Sequence, residues 1–581
     1  MALTSEARTS VPGAHALTDC LDRNAEMAAD RYSITFVDYE ASPDGLARSL
    51  TRAELNRRVT AVAQWLAARF GPGERVVIAA PQGIEYVVGF LGAIRAGLIA
   101  VPLFAPGARG SADGFGNILA DCTPCCVLTT SAVIDHLPLG VRSVAVDDLP
   151  HAPDAGHRLP APHPDDIAYL QYTSGSTRTP SGVVLTHANV LANAEQAGAA
   201  YGAADPDAVS VSWLPLFHDM GLMLALVVPL VAGIPAVMMD PLAFLQRPYR
   251  WLHLMSSNPC AISAAPNFAY DYCAARIDER DRARLRLDDV ITLINGSEPV
   301  RPASIDRFNR AFADCGLRPE THRSSYGLAE ATVFVSVTEA DKAPGAVAFD
   351  RAALGAGTAR PAGGGPVSTL VSCGTPVGQH VAVVDPAERT VLPDGAVGEI
   401  WVHGPNTGQG YWGRDAETSG RVFHAALDGA TGGLPGSGWL RTGDLGFRHD
   451  GELFVAGRLK DLIIVDGRNH YPQDVEETVE NAHPAIRRHH TAALSVPGDD
   501  GERLVVVAEY APRSDPGDRD PEALTGVLRH EISARHGLAL HRLVLVEPGS
   551  VPRTTSGKVA RQACRARYLD GTWGDLVAGH G

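Results

Sequence analysis

In the first part of the chain, short apolar runs alternate with longer amphipathic stretches. Thr51 and Glu54 form a capping box, and apolar residues then recur at helical spacing. Residues 75–80 are typical of a strand, residues 83–96 of a helix and residues 99–103 of a second strand. This order predicts βαβ units.

Similar apolar runs recur further along the chain. Buried strands are predicted at residues 167–171, 209–213, 236–239, 261–264 and 290–294, with a helix after His187. These runs are continuously apolar rather than alternating, which favours a parallel sheet covered by helices on both faces. Ligands in such sheets bind beyond the carboxyl ends of the strands.

The pattern changes after residue 338. Residues 338–372 are rich in Ala, Gly and Pro, which predicts an exposed or mobile segment. Residues 381–402 indicate a small β-rich subdomain. The remainder predicts a small α+β domain, with helices at 472–481 and 521–534 and strands at 492–496 and 504–510.

We therefore predict an α/β fold with two domains. Residues 1–457 would form a large N-terminal domain of parallel sheets covered by helices, with a small β-rich subdomain and an insertion near residues 340–371. Residues 458–581 would form a mobile C-terminal α+β domain.

Composition narrows the functional class. Hydrophobic residues make up 45% and charged residues 20% of the 581 positions, as in ordinary globular proteins. The formal charge of −16 and the absence of a basic block argue against nucleic acid as a partner.

Nine scattered cysteines and a start without a secretion signal predict reduced thiols and a cytoplasmic location. Cys122, Cys125 and Cys126 are not followed by a second ligand pair at zinc-site spacing, which disfavours a metal site.

Residues 220–239 carry no charge and are long enough to span a bilayer. Proline and glycine interrupt the stretch, and Asp219 and Asp240 flank it instead of basic residues. We therefore expect a buried helix followed by a strand and no membrane span.

Residues 172–182, YTSGSTRTPSG, follow a predicted strand and precede a helix. Hydroxyl groups and glycines at this density favour a loop whose backbone N–H groups hold a phosphate. A flexible surface loop is the alternative, and the Walker pattern is absent.

Four further motifs follow in order: SYGLAE at 325–330, WLRTGD at 439–444, GRLKD at 457–461 and VPRTTSGK at 551–558. With the loop at 172–182, this set resembles the adenylate-forming superfamily of acyl-CoA synthetases, luciferases and nonribosomal adenylation domains. The resemblance extends from Thr51 to Tyr568.

Within that superfamily the chain is most similar to the fatty acyl-AMP ligases. The similarity rests on residues 172–180, 213–221, 295–301 and 467–474, and on the Gly/Pro-rich stretch before Cys373. It implies that ATP and Mg²⁺ convert a fatty acid to acyl-AMP, and that a holo-acyl carrier protein accepts the acyl group on its phosphopantetheine thiol. A coenzyme A ligase on the same fold and a non-catalytic nucleotide-binding protein are the alternatives.

The resemblance also implies nucleotide-binding roles. The phosphates would be held by Thr173, Ser174, Gly175, Ser176 and Thr177. Tyr326 would stack on adenine and Asp444 would accept the ribose hydroxyls, while Arg458 would bind ribose or phosphate. The remaining nucleotide contacts are expected from Gly296, Ser297, Glu298, Ser325 and Gly327. Most superfamily members end the phosphate loop Pro-Lys-Gly, whereas this chain has Ser181, so Arg178 is a candidate for the missing charge.

The expected catalytic residues are Lys558, Glu330 and His218. Lys558 would bridge the fatty carboxylate and the α-phosphate, and Glu330 would help to bind Mg²⁺. His218 would orient the carboxylate or act only as a structural hydrogen-bonding group. The expected acyl pocket comprises Trp213, Met220, Gly221 and Met223, and Lys460 is the expected hinge. Without the other motifs, Asp444 would be interpreted as a turn residue and Tyr326 as a core aromatic residue. Arg458 would be interpreted as part of a surface ion pair and Lys558 as a solvated charge near the end of the sequence.

Overall fold

The computed structural model describes residues 14–105, 112–138, 140–154, 158–173, 181–430, 432–465, 467–498, 501–512, 514, 516–554, 557–573 and 577–578. Of the predicted phosphate loop, Ser174, Gly175, Ser176, Thr177 and Arg178 lie outside the described residues.

The α-helices are α1 (Leu17–Met27), α2 (Arg52–Ala67), α3 (Ile84–Arg95), α4 (Ala112–Cys122), α5 (His187–Tyr201), α6 (Asp219–Leu222), α7 (Val228–Ala232), α8 (Pro241–Gln246), α9 (Tyr249–Ser257), α10 (Asn267–Arg276), α11 (Glu279–Arg282), α12 (Pro302–Phe312), α13 (Arg351–Gly355), α14 (Ala416–Phe423), α15 (Pro472–Ala482), α16 (Pro521–His536) and α17 (Arg561–Leu569). A π-helical segment, Met223–Val227, joins α6 to α7.

The strands are β1 (Tyr32–Asp38), β2 (Leu46–Thr51), β3 (Arg75–Ile78), β4 (Ile99–Pro102), β5 (Cys126–Thr129), β6 (Ser143–Ala145), β7 (Ile167–Tyr172), β8 (Gly182–Thr186), β9 (Val209–Ser212), β10 (Ala236–Met239), β11 (Ala261–Ala265), β12 (Thr292–Asn295), β13 (His322–Gly327), β14 (Phe334–Val337), β15 (Ala346–Asp350), β16 (Val367–Val371), β17 (Thr375–Pro376), β18 (His380–Val384), β19 (Gly398–His403), β20 (Leu440–His449), β21 (Glu452–Arg458), β22 (Ile463–Val465), β23 (Arg468–His470), β24 (Ile486–Gly498), β25 (Gly501–Tyr510), β26 (Leu540–Val546) and β27 (Val577–Ala578).

Two large sheets build the first part of the chain. One has nine strands in the order β17-β14-β13-β12-β11-β9-β10-β1-β2, and the other has six in the order β6-β5-β3-β4-β7-β8. Their central strands are parallel, and antiparallel pairs occur toward the edges. The main hydrophobic core combines both sheets with helices such as α3 and α5. The predicted parallel sheets with buried strands are therefore confirmed.

The capping box predicted at Thr51 and Glu54 is present in the structure. The Thr51 hydroxyl accepts the Glu54 N–H at 3.2 Å, and the Glu54 carboxylate accepts the Thr51 N–H at 2.8 Å. The uncharged stretch 220–239 forms α7 and β10 together with the π-helical segment, and most of its residues are buried. No helix in the described part of the chain has both the length and the apolar character needed to cross a membrane.

Two smaller sheets follow. β18 to β21 form an antiparallel sheet in which Asp444 on β20 lies opposite Arg458 on β21. β24 to β27 form a sheet covered by α15 and α16. Residues 458 onward are called the final segment below. Two hydrophobic clusters contain only residues from Ile463 onward, so the final segment has hydrophobic cores of its own.

The Gly/Pro-rich stretch departs from its expected character. We expected it to add little to the core, but it contains the antiparallel pair β15–β16 and helix α13. Phe349 and Leu354 are fully buried against Phe447 and Phe454 of the four-stranded sheet. The few apolar side chains of the segment fall at the positions that face this sheet, although they show no regular period along the sequence.

Candidate active site

One large cavity lies where the first part of the chain meets the final segment. Its volume is about 1930 Å³. Apolar side chains form much of its lining, among them Tyr86, Phe104, Trp213, Leu216, Phe217, Met220, Leu245 and Phe268. His218 and Ser297 line it from the first part of the chain, and Lys558 from the final segment. The cavity thus joins an apolar pocket to polar and charged groups.

Tyr326 forms one cluster with Asp444 and Arg458, although it lies more than 100 residues before both of them in the chain. The Tyr326 hydroxyl donates to Oδ2 of Asp444 at 2.8 Å, and the Arg458 Nε lies 3.0 Å from Oδ1. Asp444 is 6% exposed. The charge of Asp444 raises the pKa of Arg458, and burial followed by that same charge raises the pKa of Tyr326. The sequence predicted all three residues, and the structure brings them together.

Glu330 lies on the turn after β13. The Tyr411 hydroxyl donates to its Oε1 at 2.8 Å. Burial raises the pKa of Glu330, and this hydrogen bond opposes the rise. A cation at this carboxylate would stabilise its charged form, so the environment fits the predicted Mg²⁺ role. Sequence reasoning missed Tyr411, which no motif singles out.

Lys558 is a partly buried cation that lines the cavity. Burial lowers the pKa of its ammonium group, and the negative charges of Asp219, Glu298 and Asp444 oppose that effect, while Arg458 adds to it. The lysine therefore lies among the predicted nucleotide-binding groups, as its expected role requires. Its backbone is held by Thr554, whose Oγ1 accepts the Lys558 N–H at 3.1 Å.

His218 precedes α6, and its ring contacts the next residue. Nδ1 of His218 lies 2.7 Å from Oδ1 of Asp219. Burial acts to raise the pKa of Asp219, but the charge and hydrogen bond of His218, the charge of Lys558 and the hydrogen bond from the Met220 N–H together lower it. Sequence reasoning treated Asp219 only as a flank of the uncharged stretch, and its position beside His218 was the missed signal.

The turn after β12 carries three of the predicted residues. Ser297 has a φ of 72°, and its hydroxyl lies 3.6 Å from the Met220 sulfur. Glu298 accepts a hydrogen bond from the amide of the buried Asn267 at 3.2 Å. A Cβ at Gly296 would lie 2.8 Å from the Ser325 carbonyl oxygen, so close backbone packing explains the glycine.

Other predicted nucleotide-binding residues contact backbone carbonyl groups of the protein itself. The Ser325 hydroxyl donates to the Ser336 carbonyl at 2.9 Å and lies 2.7 Å from the Tyr201 hydroxyl. A Cβ at Gly327 would lie 1.7 Å from the Val333 carbonyl oxygen. Thr173, the first residue of the predicted phosphate loop, donates its N–H to the Ser181 carbonyl at 3.2 Å.

The predicted acyl-pocket residues divide into two groups. Trp213 and Met220 line the cavity, and the Trp213 ring stacks on Phe244 at 4.0 Å between centroids. Gly221 and Met223 instead lie in the core behind the wall. A Cβ at Gly221 would meet the Pro215 carbonyl at 2.1 Å, and the Met223 sulfur lies 3.6 Å from the Tyr169 hydroxyl. One residue of helical rotation turns Gly221 away from Met220, and Met223 lies three residues after Met220, at the start of the π-helical segment.

Lys460 lies in a 3₁₀ turn, Leu459–Asp461, at the start of the final segment. Its carbonyl accepts from Nε2 of Gln562 at 3.1 Å. The turn therefore contacts α17, which follows Lys558 closely in the sequence.

Comparison with known proteins agrees with this arrangement. Residues 21–412 match the family described as "AMP-binding enzyme", and residues 460–575 match "Disco-interacting protein 2-like, AMP domain". The long-chain-fatty-acid–AMP ligase FadD28 of Mycobacterium tuberculosis is 45% identical over 94% of this chain and 96% of its own length. The ligase FadD26 of Mycobacterium bovis is 44% identical over the same shares.

Solved structures give the same result. One from a study of fatty acyl-adenylate ligases from E. coli and L. pneumophila has a TM-score of 0.85 at 31% identity, covering 98% of this chain and 99% of that chain. The L. pneumophila ligase in complex with acyl adenylate and pyrophosphate has a TM-score of 0.74 at 33% identity, covering 98% of each chain. The chain therefore belongs to the AMP-binding enzymes and, within that family, to the fatty acyl-AMP ligases.

Proposed function

We propose that the protein activates a fatty acid with MgATP and passes the acyl group to the phosphopantetheine thiol of a holo-acyl carrier protein. The observation that carries the proposal is that Lys558 lines a large, partly apolar cavity and lies where the charges of Asp444 and Arg458 act on its ammonium group. An ammonium at that position suits a reaction in which negative charge develops between a carboxylate and a phosphate.

In the first step a carboxylate oxygen attacks the α-phosphorus of ATP, a new P–O bond forms, and the bond to the departing pyrophosphate breaks. Lys558 stabilises the charge on the attacking and phosphoryl oxygens. Asp444 accepts the ribose hydroxyls beside Arg458, and the Tyr326 ring packs on the base. Glu330 would help to hold Mg²⁺, and the charge of that ion would supply electrostatic stabilisation to the phosphates.

In the second step the carrier thiolate attacks the acyl carbon, and AMP leaves. Lys558 occupies the cavity in the structure, so the final segment has to move before a thiol can approach. We place the boundary after Gly457 and the hinge at Lys460. The separate hydrophobic clusters of the final segment support this division.

The fatty acid is proposed from the apolar lining of the cavity and the names of the relatives. Each buried methylene contributes about 0.8 kcal/mol to binding. All nine cysteines, each within the described residues, are free thiols, which supports the proposed cytoplasmic location.

The insertion supports a carrier protein over coenzyme A as acceptor. Ser368 of β16 donates to Oδ2 of Asp474 on α15 at 2.5 Å, and Arg351 donates to the Arg535 carbonyl at 2.8 Å. These bonds tie the insertion to the final segment. We propose that they restrict the domain orientations from which coenzyme A could react.

The test begins with pyrophosphate release over saturated fatty acids of increasing chain length. Acyl transfer is then measured in parallel with holo-carrier protein, apo-carrier protein and coenzyme A. We expect transfer to the holo form only. Efficient acyl-CoA formation would establish the alternative ligase, and no pyrophosphate release with any acid would overturn adenylation itself.

A further inference from the structure

Arg561, the first residue of α17, joins three elements of the final segment. Its Nε and Nη2 donate to the two carboxylate oxygens of Glu476 on α15 at 2.6 and 2.8 Å. Its Nη1 donates at 3.4 Å to Oδ2 of Asp461, the last residue of the 3₁₀ turn Leu459–Asp461, which we call the hinge turn. The Arg561, Glu476 and Asp461 side chains are 23%, 5% and 10% exposed, so these ion pairs are sheltered from the solvent that weakens surface pairs.

The next residue of α17, Gln562, holds the same turn. Its Nε2 donates to Oδ1 of Asp461 at 2.9 Å and to the Lys460 carbonyl at 3.1 Å. Each carboxylate oxygen of Asp461 therefore accepts from a different residue of α17. Because a peptide unit is planar, the bond to the Lys460 carbonyl fixes the whole plane between Lys460 and Asp461 against α17.

The residue before the hinge turn is held by the first part of the chain. Arg458 lies opposite Asp444 in the β20–β21 ladder, and its Nε is 3.0 Å from Oδ1 of that carboxylate. Any rotation that preserves the contacts on both sides is therefore confined to the backbone of Leu459 and Lys460. The Leu459 side chain is exposed, so packing restricts this position little.

The segment that carries Lys558 runs directly into α17. Its two arms, residues 552–554 and 557–560, form what we call the Lys558 hairpin. The Thr554 N–H donates to the Lys558 carbonyl at 2.8 Å, and the Thr554 hydroxyl accepts the Lys558 N–H at 3.1 Å. The hairpin ends at the residue before Arg561, so no linker separates it from the contacts that Arg561 makes.

We propose that Arg561 is a positioning residue: it joins the hinge turn to the Lys558 hairpin, so that rotation at Leu459 and Lys460 moves the lysine as part of one rigid unit. The inference rests on the proposed two-step function, in which the final segment moves between steps. Without this junction, α17 and the hairpin shift relative to the hinge turn, and Lys558 is placed less accurately in the cavity. A displacement of about 1 Å is enough to cost roughly 10²-fold in rate.

Kinetics of the first half-reaction test the proposal. In Arg561→Gln we expect kcat for acyl-AMP formation to fall by about 10- to 10²-fold. The KM values for ATP and fatty acid should stay near those of the wild type, because the proposed binding groups for both lie mostly in the first part of the chain. Arg565→Gln is the matched control, since Arg565 lies one turn further along α17 and donates to the Ser495 carbonyl of β24 at 2.7 Å. It should retain kcat. Wild-type kcat in Arg561→Gln would overturn the proposal.

A double-mutant cycle separates positioning from general stabilisation of the final segment. Asp461→Asn weakens the link to Arg561, while it keeps an acceptor for Gln562 and leaves the pair between Arg561 and Glu476 intact. We expect kcat to fall in Asp461→Asn, and the combined variant to be no slower than Arg561→Gln alone, because both changes break the same link. Thermal unfolding establishes that each variant is folded. Wild-type kcat in Asp461→Asn, or additive losses in the combined variant, would show that Arg561 acts only through Glu476 and would overturn the proposal.

The lysines give a readout that needs no substrate. The chain contains three of them, and Lys460 and Lys558 lie at the two ends of the proposed junction, while Lys342 is remote in sequence from both. Protein labelled with [¹⁵N]lysine gives one backbone amide signal for each, which Lys342→Arg and Lys460→Arg variants assign. Asp461→Asn should shift the Lys558 signal but not the Lys342 signal, and in an Arg561→Gln background it should no longer shift Lys558.

A Lys558 signal that stays in place in Asp461→Asn would overturn the junction. The same measurement distinguishes this failure from failure of the proposed function. If the wild type releases no pyrophosphate with any fatty acid, the proposed function fails, while the lysine signals still report whether the hinge turn and the Lys558 hairpin move together.

Discussion

Buried charges in the site each have a close polar partner. Asp444 pairs with Arg458 and Tyr326, and Glu330 accepts from Tyr411. Because an unpaired buried charge is costly, such groups are held in one arrangement before substrate binds. Lys558 differs, because the charges that act on its ammonium group come from several elements that are distant in sequence.

At the residue scale, Lys558→Ala should abolish adenylation while leaving the fold intact. The change removes one preorganised charge, and loss of such a group costs on the order of 10²- to 10³-fold in rate. Pyrophosphate release measures the loss. Lys342→Ala is the control, because Lys342 is exposed and pairs with Glu339. Wild-type acyl-AMP formation in Lys558→Ala would disprove the role assigned to this lysine.

At the scale of elements, the insertion and the hinge turn both connect the final segment to the rest of the chain. Phe349 and Leu354 anchor the insertion in the cluster around Phe447 and Phe454. Deleting residues 343–367 would expose that cluster, and removing buried Phe and Leu side chains costs about 2–5 kcal/mol each. Single polar substitutions are therefore a cleaner test of the insertion than its deletion.

Arg351→Ala should loosen the insertion from the final segment without emptying the cluster. Arg351 donates to the Arg535 carbonyl and lies 4.0 Å from Asp474. We expect adenylation to be retained and acyl-CoA formation to become measurable. Arg360→Ala is the control, since Arg360 pairs with Asp350 within the insertion. Acyl-AMP formation with no acyl-CoA in Arg351→Ala would show that this contact does not set the acceptor.

Lys460→Pro tests the hinge. Proline fixes φ at the position where the backbone is expected to rotate between the two steps. Adenylation should persist, and transfer to holo-carrier protein should be lost. The two half-reactions are measured separately, as pyrophosphate release and as acylated carrier protein. Equal loss of both would count against a hinge at Lys460.

At the scale of the whole molecule, polar contacts join the final segment to the first part of the chain beside the cavity. Arg301 before α12 lies 3.0 Å from Glu480 on α15, and Asp271 on α10 lies 3.1 Å from Nε2 of His489 on β24. The Glu480 side chain is only 3% exposed. Both pairs join segments about 200 residues apart in the sequence and favour the orientation in which Lys558 lies in the cavity.

Arg301→Ala should weaken that orientation. Leaving a buried carboxylate unpaired costs about 3–5 kcal/mol, and reorientation of the final segment would relieve part of that cost by hydrating Glu480. We expect acyl-AMP formation to fall by more than acyl transfer from preformed acyl-AMP. Arg389→Ala, which removes an exposed pair with Asp428, should affect neither step. A larger loss of transfer than of adenylation would contradict this role.

The sequence by itself determined the βαβ order, the capping box at Thr51 and the membership of Tyr326, Asp444, Arg458 and Lys558 in one set of motifs. These depend on local periodicity and on short phrases that keep their order along the chain. The tertiary structure decided which of the predicted acyl-pocket residues face the cavity, so that Met220 lines it and Met223 does not. It also decided that an aperiodic insertion buries Phe349, and that Lys558 lines the same cavity as His218. Such contacts depend on the packing of segments distant in sequence, which no local pattern records.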